Sequence, residues 1–169
     1  MHLPEIQPSP HDFARLAEEH GVVPIWTEIV ADAETPLTAF AKISGDEPAF
    51  LFESAEQDKE SGRYSILGTG AEREFFARGN SFEVRRAGQV VRSGQSPDPL
   101  AELEREMSGL RAPEGPLHFP GGCVGYLSYD AVRYFEPTVP DSLDDELGIP
   151  TSIFSQPTES LFLITSLTD

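Results

Sequence analysis

Three stretches of the chain carry apolar side chains at helical spacing, and each opens with a capping residue followed directly by proline. The pairs are Ser9-Pro10, Thr35-Pro36 and Asp98-Pro99. A side-chain oxygen that can accept from the first turn, followed by a residue whose missing N–H costs nothing there, is a helix start signal. After the first pair, Phe13, Leu16 and Ala17 fall at i, i+3 and i+4, with Asp12 at the positive end and Gly21 as the stop. Leu37, Phe40 and Ala41 follow the second pair, and Leu100, Leu103 and Met107 follow the third. Each set is expected to face a core.

Elsewhere the period shortens to that of strands. Val22 to Val30 (VVPIWTEIV) predicts a strand that Pro24 confines to an edge or a start. Residues 49–54 (AFLFES) predict a buried strand, and a polar loop, AEQDKESG, leads to another at 63–67. From Glu72 to Arg92, apolar and polar positions alternate around turns at Gly79-Asn80 and Ala87-Gly88, which predicts two or three strands. GGCVGYLSYD begins glycine-rich and becomes a strand, and AVRYF predicts a short helical turn. The stretch 136–157, with Pro137, Pro140, Pro150, Pro157 and the acidic run 141–146, predicts an irregular connection. The apolar run 160–165 (SLFLIT) predicts a last strand, which needs neighbours that the remaining four residues cannot supply. These patterns give an α+β fold, an antiparallel sheet with flanking helices. No repeat or linker divides it, so residues 1–169 are read as a single domain, cut from something larger.

Composition narrows the partners. Lys+Arg 12 against Asp+Glu 29 leaves a net charge of −17, a field that repels phosphate backbones and anionic lipid surfaces. Neither nucleic acid nor membrane is therefore an expected partner, and a solvated, solubilising surface accounts for the charge. Hydrophobic residues at 38% are enough for a core. One cysteine excludes an internal disulfide framework and any multi-cysteine metal site, as expected of a reducing, cytoplasmic setting. No run approaches 18 apolar residues, and MHLPEIQPSPHDF lacks the basic-then-apolar order of a secretory signal.

Candidate chemistry is sparse. Gly121-Gly122-Cys123-Val124-Gly125 fits neither phosphate-loop spacing, and no lysine follows, so these glycines point to tight packing or a bend. Cys123 and His118 could be drawn as nucleophile and base, but a lone cysteine between glycine and valine is better read as a small core residue. His2, His11, His20 and His118 lack metal spacing, and Asp141, Asp144, Asp145 and Glu146 lack the pattern of a calcium loop. One constellation stands out. Glu53-Ser54 ends one strand and Gly62-Arg63-Tyr64-Ser65 begins the next. An acid, hydroxyls and a guanidinium at neighbouring strand ends can hold a zwitterion: ammonium on Glu53, carboxylate on Ser54 or Arg63, and the ligand's side chain between the strands. A capped turn with a surface Glu–Arg pair is the plainer alternative.

LFESAEQDKESGRYSILG resembles the L-L-E-S … G-R-Y-S-F-L-G signature of anthranilate synthase component I. Upstream, VPIWTEIVADAETPLTAFAKI is similar to that family's V-P-V-x-x-E … D-x-E-T-P-x-x-A-F segment. Downstream, FPGGCVGYLSYDAVRYFE is similar to its F-x-G-G-x-V-G-Y-x-x-Y-D-x-V-R-x-F-E block. The three blocks cover most of residues 22 to 136, in order. The resemblance implies an N-terminal part of a larger two-sheet sandwich, from an enzyme that converts chorismate to anthranilate with Mg²⁺ and ammonia from a glutaminase component II. It places the chorismate and Mg²⁺ residues in the remainder of component I, so no catalytic residue carries over and this chain alone is expected to be inactive. It implies a share in the feedback site for L-tryptophan, with Glu53 and Ser54 foremost and Arg63, Tyr64 and Ser65 beside them. Phe52 replaces the family's second leucine within an apolar slot. A free-standing amino-acid-binding module or complementing subunit, and the N-terminal region of aminodeoxychorismate synthase component I, are the alternative readings.

Overall fold

The computed structural model describes residues 4–53, 63–117, 119–136, 138–140 and 145–165, of which 63, 64 and 159–165 are described by their backbone. In chain order the elements are α1 (Pro10–Glu19), α2 (Pro36–Ile43), β1 (Ala49–Glu53), β2 (Arg63–Thr69), β3 (Arg73–Arg78), β4 (Ser81–Arg86), β5 (Gln89–Gln95), α3 (Pro99–Met107), β6 (Val124–Leu127), a short 3₁₀ helix (Tyr129–Tyr134), β7 (Ser152–Gln156) and β8 (Glu159–Thr165). The α+β reading with antiparallel pairing holds throughout. The chain read as a single domain gathers into two compact units, one of residues 1–30 and 73–156, the other of residues 31–72 and 157–169.

All three helix starts form as their residues dictate. Ser9 Oγ accepts from the Asp12 N–H at 3.2 Å, and Asp98 Oδ1 accepts from the Ala101 N–H at 3.1 Å. Thr35 and Thr38 cap each other reciprocally, at 3.1 and 2.8 Å.

The larger unit is built on a five-stranded sheet ordered β5-β4-β3-β7-β6. Because side chains alternate across a strand, Phe75, Ala77, Phe82, Val84, Ser152 and Phe154 share one face, and Leu103 of α3 packs against it. Phe75 and Phe82 stack with ring centroids 6.0 Å apart. The GGCVG glycines serve packing. A side chain at Gly125 would meet the Ile153 carbonyl oxygen at 1.9 Å, so β6 lies flush on β7 only because that residue is glycine. Gly122, at φ +136, occupies backbone that other residues rarely adopt.

The smaller unit is a three-stranded sheet ordered β1-β2-β8 with α2 packed on β1 and β2. Leu67, at the centre of β2, is fully buried.

Four expectations need correction. Residues 22–30 form no strand. Trp26 alone pairs, exchanging two 2.8 Å backbone bonds with Gln7, and Pro24 has no N–H to give a ladder. The stretch read as irregular contains β7, whose short polar-interrupted SIFSQ becomes a strand by pairing with β3 and β6 on its two sides. The apolar stripe of α1 buries no residue. On α2 the packed side is Ala39, Phe40 and Ile43, while Leu37 is 67% exposed.

Candidate functional site

β1 and β2 form a continuous antiparallel ladder from Ala49↔Thr69 to Glu53↔Ser65. Glu53, read from the L-x-E-S block, therefore stands directly opposite Ser65, read from the G-R-Y-S block, with their side chains on one face about 5 Å apart at Cβ. The hydrophobic run of β1 delivers the acid to the end of the ladder, where it is exposed, and the next strand brings the hydroxyl back beside it at 6% exposure. Arg63 and Tyr64 lie on the same strand, opposite Thr165 and Ile164 of β8. Ser54 lies outside the described residues, as do His2, His118, Asp141 and Asp144.

The ladder changes one expectation. A ligand side chain cannot sit between these strands, because backbone pairing fills that space on both sides of β2. It has to lie over a face. On the face of Ser65 and Leu67 the middle of the ladder is closed, and at one end Glu53 is exposed. On the other face Phe50 and Phe52 approach with centroids 5.3 Å apart, and Phe52 is 52% exposed.

Two features of the smaller and larger units escaped the pattern. At the other end of the β1–β2 ladder, Ile43, Gly45, Glu47, Thr69 and Thr158 line an open groove of about 230 Å³. Gly70, at φ +82, follows β2 there, and a side chain on it would meet Thr158 Oγ1 at 2.6 Å and Glu47 Oε2 at 3.2 Å. In the larger unit a charge network joins sheet and helix. Arg92 of β5 pairs with Glu102 and, at 2.5 Å, with Glu106 of α3; Arg105 also pairs with Glu102, and Arg73 of β3 reaches Glu106 at 3.4 Å. The Arg105 hydrogen bond, and then that of Arg92, hold the Glu102 carboxyl below its ordinary value against the opposing pull of burial. The i, i+4 spacing of Glu102 and Glu106 was visible in the sequence, but their partner on a strand was not.

Cys123 is half-buried beside Met107, Leu103 and Phe154, and burial pushes its thiol up. A raised thiol is a poor nucleophile, which accords with the core reading. Among the described residues no three His, Cys, Asp or Glu side chains converge as metal ligands. No described helix is long and apolar enough to cross a membrane.

No family model matches the chain. It is 38% identical over 155 residues to the probable anthranilate synthase component 1 of Schizosaccharomyces pombe, covering 89% of this chain and 28% of that protein. It is 43% identical over 131 residues to anthranilate synthase component 1 of Thermus thermophilus, covering 76% and 27%. Against the Acinetobacter calcoaceticus protein of the same name, identity is 32% over 162 residues, covering 86% and 32%. The crystal structure of anthranilate synthase component I from Streptococcus pneumoniae aligns with a TM-score of 0.45 at 22% identity, over 81% of this chain and 29% of that one. The chain thus spans about three-tenths of the length of the curated relatives it matches. On that similarity, the chain belongs to the anthranilate synthase component 1 family, of whose members it corresponds to a segment.

Proposed function

We propose that this chain is the regulatory and structural N-terminal segment of an anthranilate synthase component 1, which converts chorismate to anthranilate in tryptophan biosynthesis. Its share of the work is to form part of a feedback site for L-tryptophan from Glu53, Ser54, Arg63, Tyr64 and Ser65. One observation carries the reading: the two blocks that supply these residues are rungs of one antiparallel ladder, with Glu53 opposite Ser65. A carboxylate at an open strand end suits the ligand's ammonium, and the arginine and hydroxyls suit its carboxylate. Tryptophan bound over that end favours a state with low chorismate affinity, and by linkage chorismate weakens tryptophan binding equally. Chorismate chemistry, Mg²⁺ and ammonia from a glutaminase component II belong to the rest of the assembly, in the cytoplasm.

The test uses the complete enzyme that carries this chain. Ser54→Ala removes one hydrogen bond to the ligand, and the tryptophan concentration for half-inhibition rises about tenfold, corresponding to about 1.4 kcal/mol. Turnover without tryptophan stays near that of the parent. Inhibition unchanged in the Ser54 variant would sink the assignment.

A further inference from the structure

The groove in the smaller unit lies at the end of the β1–β2 ladder remote from Glu53. Its walls are Ile43 at the end of α2, Gly45 and Glu47 ahead of β1, Thr69 at the end of β2 and Thr158 ahead of β8, around a volume of about 230 Å³. All five residues belong to the one compact unit. The rung Ala49↔Thr69 beside it stands four residues along β1 from Glu53↔Ser65, a distance of about 13 Å.

Folding leaves the polar side chains of this groove unused. Among the described residues Glu47 has no ion-pair or hydrogen-bond partner, and neither has the hydroxyl of Thr69 or of Thr158. Glu47 Oε2 lies 3.2 Å, and Thr158 Oγ1 2.6 Å, from the place of the Cβ that Gly70 lacks, so the two oxygens are no farther apart than those distances together. One nitrogen making two bonds of about 2.9 Å spans such a gap. Ile43 closes α2, so the groove also lies at the negative end of that helix. Lys42, in the last turn of α2, is already paired with Glu34. The stretches of chain around the groove, 43–50, 66–72 and 157–160, contain Asp46, Glu47, Glu72 and Glu159 and no Lys or Arg.

We propose that this groove is a binding site for a primary alkylammonium ion that carries no carboxylate. The three N–H donors of an ammonium match the Glu47 carboxylate and the two threonine hydroxyls, and the alkyl stem lies against Ile43. The carboxylate contributes the strongest bond, because both partners are charged. A bare ion leaves most of the groove empty, since about 10–15 Å³ is enough to hold one water. A divalent metal needs more carboxylates than the one that lines this groove. An amino acid is disfavoured, because its own carboxylate meets acids and no base. In place and in chemistry the groove is therefore distinct from the proposed tryptophan site.

The probe is butylamine, titrated at constant ionic strength into the complete polypeptide that carries this chain, with amide hydrogen exchange as the readout. The expected result is that amides of residues 44–47 and 158 exchange at least threefold more slowly at about 10 mM butylamine, while those of β3 and β4 keep their rates. Glu47→Gln raises the concentration for half-protection at least tenfold, as loss of a charged partner does, and Thr158→Val raises it about threefold. Unchanged exchange in β1 and β2 without the amine shows that both variants are folded. The zwitterion 4-aminobutanoate, with the same amine and a carboxylate at its other end, protects at least tenfold more weakly. Absence of protection, protection that survives Glu47→Gln, or equal protection by 4-aminobutanoate overturns the proposal. So does equal protection by KCl at the same concentration, which would be charge screening without a site.

Discussion

Three residues illustrate how much turns on one atom or one charge. At Gly125 a methyl group has nowhere to go, since it would lie 1.9 Å from a backbone oxygen. Gly125→Ala is expected to destabilise the larger unit by about 2–3 kcal/mol, as overpacking does, seen as a lower midpoint in urea. An unchanged midpoint would show that β6 does not sit flush on β7. Glu102 gives a pH signature. Its carboxyl is depressed in the fold, chiefly by Arg105 and Arg92, so the stabilisation it adds is complete above its unfolded value, about 4.3, and is lost as pH falls through the folded one. Melting followed from pH 7 to pH 3 should fall in the acid range, and Glu102→Gln should remove that share of the fall. Cys123 responds in the other direction. Burial raises it, so its neutral thiol is retained through the pH range where an unfolded thiol ionises. Thiol-reactive dye at pH 7.5 should label it at least tenfold more slowly in the folded chain than after denaturation.

At the scale of elements, the helix starts are local events and were readable, because a cap needs only the residues within one turn. Thr35→Ala removes the hydroxyl that accepts from the Thr38 N–H, one half of the reciprocal cap, and should cost the smaller unit about 1 kcal/mol in urea unfolding. What each helix then does is not local. α1 has the same punctuation and a clear apolar stripe, yet buries nothing. α3 is fastened twice, by Leu103 against the sheet and by Glu102 and Glu106 to arginines of β3 and β5. The strands divide in the same way. The β3–β4–β5 meander was visible from alternation and glycine turns, whereas β7 was hidden because its pairing partners lie far away in sequence. The β3–β4 turn is held by such a distant tie: the Tyr134 hydroxyl donates to the Gly79 carbonyl at 2.6 Å, and the Gly79 N–H donates to Thr151 Oγ1 at 3.1 Å.

For the molecule as a whole, net negative charge and exposed apolar side chains act against each other. Charge keeps copies apart, and the exposed side chains at Tyr126, Leu127, Tyr129 and Phe135 draw partners in. The isolated chain is expected to self-associate as salt screens the charge, measurable as rising mass by light scattering between low and high ionic strength. A monodisperse monomer at all salt concentrations, melting cooperatively, would favour the free-standing module over the component 1 segment. An immunoblot of the source cells gives the complementary measurement, with a band much larger than 18.5 kDa expected from the segment reading.

Taken by itself, the sequence determined the helix starts, the antiparallel α+β character, the glycines that serve packing, and the blocks that identify the family. All of these depend on near neighbours or on the order of residues. The tertiary structure alone decided that Glu53 stands opposite Ser65, that backbone pairing closes the space between their strands, that α1 buries none of its residues, and that β5 carries a bulge while β6 pairs with β7 in regular register. Register and burial are set by contacts between residues remote along the chain, and a periodic pattern records which side of an element is apolar without recording what comes to cover it.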